Sequence, residues 1–296
     1  INFTMGLSEG IAWPWPIAVY LFLAGISGGA VAVALMLNFF RHKTETTPII
    51  KSASIIGLAT ILLGMLCLVL DLTNPLYFWR ILVYYNPTSV MSIGVILLLF
   101  YIPLVAVLMV MSFADTFSKW PLLGWVKPVC DQLEKFRVWI NAIVMVLAIA
   151  ICAYTGFLIS ALIRFPLINT AVLPALFVAS GISAGMAVTK ILAACCFGAH
   201  EEDPDMHAMH QAEWPVMATE AFCLFMIAIA LLSGNESAKL AFSAFTDGIW
   251  AVVFWVGAVE SKVSFYFAGT CAIAGMMCLR LFILYAGQMN TIVWTR

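Results

Sequence analysis

The chain has 296 residues, 64% of them hydrophobic and only 10% charged, and its formal net charge is −1. A mean hydropathy of +1.05 excludes a soluble globular domain and points to a protein with several membrane spans. The near-neutral charge gives no basis for nucleic-acid binding.

The sequence begins at Ile1, and Ile1–Gly10 lacks the basic start of a signal peptide, so none is expected. About eight apolar runs of spanning length follow, at roughly 13–40, 52–73, 89–114, 138–163, 171–198, 214–233, 241–259 and 264–289. Short connections predict that sequential helices pack as antiparallel neighbours. The longest connection, Asp115–Arg137, mixes Trp120 and Trp125 with Lys119, Lys127, Lys135 and Arg137, the composition of a segment lying at the membrane interface. One face collects Arg41, Lys43, Lys51, those four cations and Lys262; the other has Arg80, Arg164, Lys239 and Arg296. The richer face is cytoplasmic by the positive-inside rule, which places both termini outside, on the periplasmic side if the source is a Gram-negative bacterium. The acidic residues Glu201, Glu202, Asp203 and Asp205 carry little weight in that rule.

The chain also repeats itself. Gly25–Val33 (GISGGAVAV) in the first run resembles Gly181–Val188 (GISAGMAV) in the fifth, and Tyr154-Thr155-Gly156 in the fourth is echoed by Tyr285-Ala286-Gly287 in the eighth. Matching first to fifth and fourth to eighth implies two four-helix bundles of the same orientation, residues 1–165 and 166–296. Chance similarity among glycine- and alanine-rich spans is the competing explanation, and the matching order counts against it. The glycines four apart, Gly25/Gly29 and Gly181/Gly185, are the spacing that lets helices approach closely.

The eight cysteines form no CxxC pair and sit mostly within apolar runs, so they read as packing residues and not as iron–sulfur ligands. The four histidines, His42, His200, His207 and His210, all lie in polar connections, which leaves none inside a span to ligate haem. No metal is expected in this chain.

The polar groups inside the spans are therefore the informative ones. Ile151–Pro166 (ICAYTGFLISALIRFP) is apolar yet carries Tyr154, Thr155, Ser160 and Arg164. Arg164 falls ~15 Å along the axis from Tyr154, so the tyrosine lies inside the bilayer and the arginine at or beyond its edge. The same outer face collects Trp13, Trp15 and Tyr20 from the first run and Asp71 from the end of the second. Arg80, Asn86, Thr88 and Ser89 lead into the third. Each has a plainer explanation. The tryptophans belong to an aromatic belt, the arginines snorkel to headgroups, and Asp71 caps the Asp-Leu-Thr-Asn-Pro turn. Asp71 is the hardest to explain so, because it follows an uninterrupted apolar run. In the second half Lys190, Glu213, Glu220 and Arg280 read either as charge-cancelling pairs or as a candidate proton path.

Together these residues resemble the NrfD/PsrC family of integral membrane subunits of polysulfide-reductase-type and nitrite-reductase-type respiratory complexes. The resemblance is carried by Trp15–Leu23 (WPIAVYLFL), Gly25-Ile26-Ser27, Asp71–Pro75 (DLTNP) with Phe78-Trp79, Asn86–Ser92 (NPTSVMS), Ala153–Leu158 (AYTGFL), Leu173-Pro174 with Ser180–Ser183 (SGIS), and Leu281–Gln288 (LFILYAGQ). It implies eight transmembrane helices, periplasmic termini, no haem, and a quinone site near the periplasmic face of the first bundle. It also implies a ferredoxin-like subunit with four 4Fe–4S clusters docked there, with a molybdopterin catalytic subunit beyond. The family's quinone-site tyrosine falls on Tyr154 and its acidic or histidine position on Asp71; a histidine that some members use on the first helix is absent, and Tyr20 is the nearest polar candidate.

The expectation is thus an all-α protein of the bacterial inner membrane that binds and oxidises menaquinol without a metal of its own. Tyr154 and Asp71 would do the chemistry, with Tyr20, Arg80, Ser89 and Arg164 completing the quinone site. The terminal acceptor is expected to be polysulfide, thiosulfate or a similar sulfur compound, with nitrite as the alternative. An ion or proton transporter is the rival of another class, but it would place its polar groups near the midplane. A passive anchor with no site is the third reading.

Overall fold

The computed structural model describes residues 15–41, 46–71, 89–119, 126–162, 165–200, 202–234, 236–257 and 265–289. All regular structure among them is helical: α1 (Trp15–Phe40), α2 (Pro48–Asp71), α3 (Val90–Ser112), α4 (Ala114–Phe117), α5 (Val126–Glu134), α6 (Arg137–Ser160), α7 (Leu173–Phe197), α8 (Pro204–Leu232), α9 (Glu236–Phe242), α10 (Gly248–Gly257) and α11 (Phe265–Met289). Arg80, Arg164 and the side chain of Asp71 lie outside the described residues.

Seven of these helices (α1, α2, α3, α6, α7, α8 and α11) are long and apolar enough to cross a bilayer. The protein is a multi-pass membrane protein. The run expected at 241–259 is not a continuous helix. α9 passes into a 3₁₀ turn at Ser243–Phe245, and α10 starts only at Gly248. Thr246-Asp247-Gly248 supplies the break, with Gly248 at φ +84°, a left-handed conformation that a glycine adopts freely. The ten residues of α10 are too few to span by themselves, so seven candidate spans stand among the described residues, and the expected eighth is not one of them.

α1 is the most enclosed helix, packed by α2, α6, α7 and α11. Its small residues allow this. Gly28 faces Ala148 and Cys152 of α6, Gly29 faces the backbone of Gly181 on α7, and Gly185 faces Gly29 and Ala30. The two glycine pairs that mark the repeat therefore meet each other, backbone against backbone. By contrast α3, α6 and α8 turn Leu99, Phe100, Trp139, Val146, Phe222 and Phe225 outward, as lipid-facing helices do.

The connection expected at the interface contains the short helices α4 and α5. Cys130 and Leu133 of α5 rest on Met111 at the end of α3, and Lys127 pairs with Asp115 at 3.1 Å. Burial, reinforced by Asp131 and Glu134, raises the Cys130 thiol above its usual range. At the same end of the molecule Arg41, just past α1, pairs with Asp205 and donates to the Pro204 carbonyl, fastening α1 to the start of α8. At the opposite end Tyr285 of α11 is tied to the backbone of Trp15, so the first residues of α1 and the last turns of α11 share one level.

Candidate functional site

Two buried tyrosines lie within electrostatic reach of each other, one near the start of α1 and one near the end of α6. Tyr20, five residues into α1, is only 1% exposed. Its ring lies against Gly64 of α2, where an added Cβ would come within 3.3 Å of Cδ2. Its hydroxyl has no hydrogen-bond partner among the described residues. Tyr154 comes six residues before the end of α6 and is 7% exposed. Its phenol lies across Gly94 of α3, in the space a Cβ there would occupy. The two hydroxyls are close enough to interact electrostatically. Glycines at 64 and 94 thus open room beside α2 and α3 for phenols arriving from α1 and α6.

Ser89 precedes α3 at its N-cap position, makes no capping bond through its hydroxyl, and lies five residues before Gly94. Asp71 ends α2, seven residues past Gly64. The structure therefore brings Tyr20 and Tyr154 together and puts Ser89 and the Asp71 backbone at the adjoining helix ends. Burying a hydroxyl with no partner costs about 1–3 kcal/mol. A ligand presenting a carbonyl or hydroxyl to Tyr20 would remove that cost.

The polar residues of the later helices form a different arrangement. The Lys190 ammonium, buried on α7, donates to Glu213 of α8, and Glu213 in turn contacts the exposed His210 at 2.8 Å. This is the charge-cancelling arrangement, with one end in water. Arg280 of α11 is fully buried. It stacks 3.5 Å over the Phe177 ring and donates to the Phe177 carbonyl at 3.1 Å, while its Nε and Nη1 have no hydrogen-bond partner among the described residues. Glu220 and Cys152 lie within its electrostatic reach. Removing one partner of a buried pair leaves the other charge stranded. Glu213→Ala should therefore destabilise the protein by about 3 kcal/mol, and the Lys190→Met/Glu213→Leu double variant should recover most of that loss. Thermal unfolding in detergent reads both; an equal loss in the double variant would rule out a stranded Lys190 as the cause.

Among the described residues no three His, Cys, Asp or Glu side chains converge as a metal site would require. The family model described as polysulphide reductase, NrfD, matches residues 4–292. The chain belongs to the NrfD family. A polysulfide reductase chain of Wolinella succinogenes is 36% identical over 301 residues, covering 94% of this protein and 95% of that one. Protein NrfD of Escherichia coli is 34% identical over 311 residues, covering 95% and 96%. A selenate reductase subunit of Mesobacillus selenatarsenatis is 22% identical over 329 residues, covering 95% and 77%.

Two features of this NrfD-family protein escape sequence reading. Tyr101 of α3 is fully buried and lies 3.0 Å from the Ser27 hydroxyl, which donates to the Gly57 carbonyl at 2.6 Å. This network joins α1, α2 and α3 one heptad below Tyr20. Ser27 sits in a quoted motif, but a lone tyrosine in the apolar third run gives no signal of its partner. Gly94 is the other. It reads as an incidental glycine until Tyr154 is seen across it. Tyr101→Phe should cost only about 0.6–1 kcal/mol, the worth of one intramembrane hydrogen bond, because Ser27 keeps Gly57. Chemical unfolding checks this; a loss several times larger would give Tyr101 a second role.

Proposed function

We propose that this chain is the membrane subunit of a respiratory reductase and oxidises menaquinol between α1, α2, α3 and α6. The observation that carries the reading is the pair of buried phenols, Tyr20 and Tyr154, with the Tyr20 hydroxyl lacking a partner among the described residues inside an apolar wall. Those residues fit a quinone headgroup, which needs hydrogen bonds to its oxygens and an apolar enclosure for its ring. Oxidation of the quinol supplies two electrons and releases two protons. The Tyr154 hydroxyl would orient one quinol oxygen, Tyr20 would bond it from α1, and the surrounding apolar residues keep water out. Asp71 at the end of α2 would accept a proton at its carboxylate, with Arg80, Ser89 and Arg164 completing the rim.

The remaining assignments belong to the same reading. The end of the molecule holding these tyrosines faces the periplasm, as do both termini, and an eighth span completes two bundles, residues 1–165 and 166–296. A ferredoxin-like 4Fe–4S subunit docks on that face and a molybdopterin subunit receives the electrons. The relatives named for polysulfide and selenate support a reductase complex, and a sulfur compound is the acceptor we favour. The test is binding of a short-tailed naphthoquinol to the purified complex. Saturable binding is expected, weakened at least tenfold by Tyr20→Phe and Tyr154→Phe together; unchanged affinity in that variant would overturn the site.

A proton path through Lys190, Glu213, Glu220 and Arg280 is the second reading. It rests on the contacts leading from exposed His210 through Glu213 to buried Lys190, with Glu220 two turns further along α8.

A further inference from the structure

α7 repeats α1, and the repeat predicts where a second ligand seat would lie. Gly25, Ser27 and Gly29 correspond to Gly181, Ser183 and Gly185, and the same offset sets Tyr20 against Leu176. Beside α1 the space next to Ser27 is filled, because the buried Tyr101 phenol occupies it and bonds the hydroxyl. Among the described residues the corresponding space beside α7 is open. Leu176 and Ser183 line a cavity of about 320 Å³, closed by Glu220 of α8, Phe254 of α10 and Met276 of α11.

We propose that this cavity is a second, non-oxidising seat for quinol, which rests on the reading of the chain as a quinol-handling subunit. The size falls within the range of small-molecule sites. The lining residues are mostly apolar, with polar side chains at Glu220, Ser180 and Ser183, of which Ser180 already donates to the Phe177 carbonyl at 3.3 Å. A carboxylate with two hydroxyls suits a ligand that brings its own hydroxyl donor. It offers fewer oxygens than the six or more that hard cations take. The carboxylate disfavours an anionic headgroup, and the apolar lining, which includes Phe254, suits a flat ring. Access is from the bilayer. Ala221, on the rim, is exposed on a helix that turns Phe222 and Phe225 to lipid. Leu176, standing where α1 has Tyr20, leaves this seat without the phenol that would poise a quinol for oxidation, so it stores or exchanges the molecule.

The test is photolabelling of the intact complex in native membranes with an azido-quinone, followed by mapping of adducts by peptide mass spectrometry. Adducts are expected on α8 and α11 as well as on α1 and α6, all competed by excess unlabelled quinol. Ala221→Trp, which fills the rim of the cavity from an exposed position, should cut the α8 and α11 adducts at least tenfold and leave those on α1 and α6 unchanged. Adducts confined to α1 and α6 would overturn the second seat and leave the first. Uncompeted α8 and α11 adducts, or adducts indifferent to Ala221→Trp, would overturn it as plain lipid exposure. Competed adducts on α8 and α11 alone would support the second seat and sink the reading of Tyr20 and Tyr154. No competed adduct at either place would overturn both.

Discussion

Replacing Tyr154 with phenylalanine should lower quinol oxidation by the intact complex about 100-fold, the lower end of what a positioned proton-transfer or hydrogen-bonding group contributes. The substitution removes only the hydroxyl. The ring that occupies the space over Gly94 stays, so α6 keeps its seat on α3 and the yield of folded complex should not change. Tyr20→Phe should act through affinity, raising KM with a smaller effect on kcat, because the buried Tyr20 hydroxyl has no partner among the described residues and a bound quinol would supply one. Steady-state kinetics with a soluble quinol analogue separates the two. An unchanged rate in Tyr154→Phe would make the chain a passive anchor.

Gly29→Val should have the largest effect on folding. A Cβ at position 29 would fall on the carbonyl of Gly181, and Gly185 stands as close to Gly29 and Ala30 from the other side. These neighbours are backbone atoms and cannot swing away as a side chain would. Separating α1 from α7 by a few tenths of an ångström also strains the contacts of α1 with α6, where Gly28 lies against Ala148 and Cys152. Overpacking of this kind costs about 3 kcal/mol or more, a large fraction of the roughly 5–15 kcal/mol typical of a folded domain. The expected result is loss of the chain from the membrane fraction and a sharp drop in thermal stability of what remains. Wild-type stability in Gly29→Val would mean that α1 and α7 do not meet through their glycines.

Much of this was legible in the residues because a bilayer constrains sequence strongly. Long apolar runs marked all seven described spans, and the four-residue glycine spacing marked the close approach of α1 and α7. Periodicity could not say that these two glycine pairs face each other, since spacing gives a face and not its partner. Tyr154 stood out because a polar group at bilayer depth is costly, whereas Gly94, which makes its space, carries no chemistry and so no signal. The break at Asp247–Gly248 is hidden in the sequence by the apolar residues on both sides, although Thr246-Asp247-Gly248 are turn residues. Lys190 and Glu213 were readable as ionisable residues in or beside spans; that they pair depends on the packing of α7 on α8. Asp71, Arg80 and Arg164 lie outside what the structure describes, fully or by side chain, so the place of Asp71 at the site rests on the resemblance and that of the two arginines on the polar groups gathered at one face in the sequence.

The most direct test of the central claim is purification of the chain from native membranes in mild detergent, with identification of co-purifying proteins and assay of quinol oxidation on the same sample. The account predicts an iron–sulfur subunit in the preparation and saturable quinol oxidation that a quinone-site inhibitor abolishes. A chain that purifies alone, without bound quinone or quinol activity, would contradict it and favour the transporter reading.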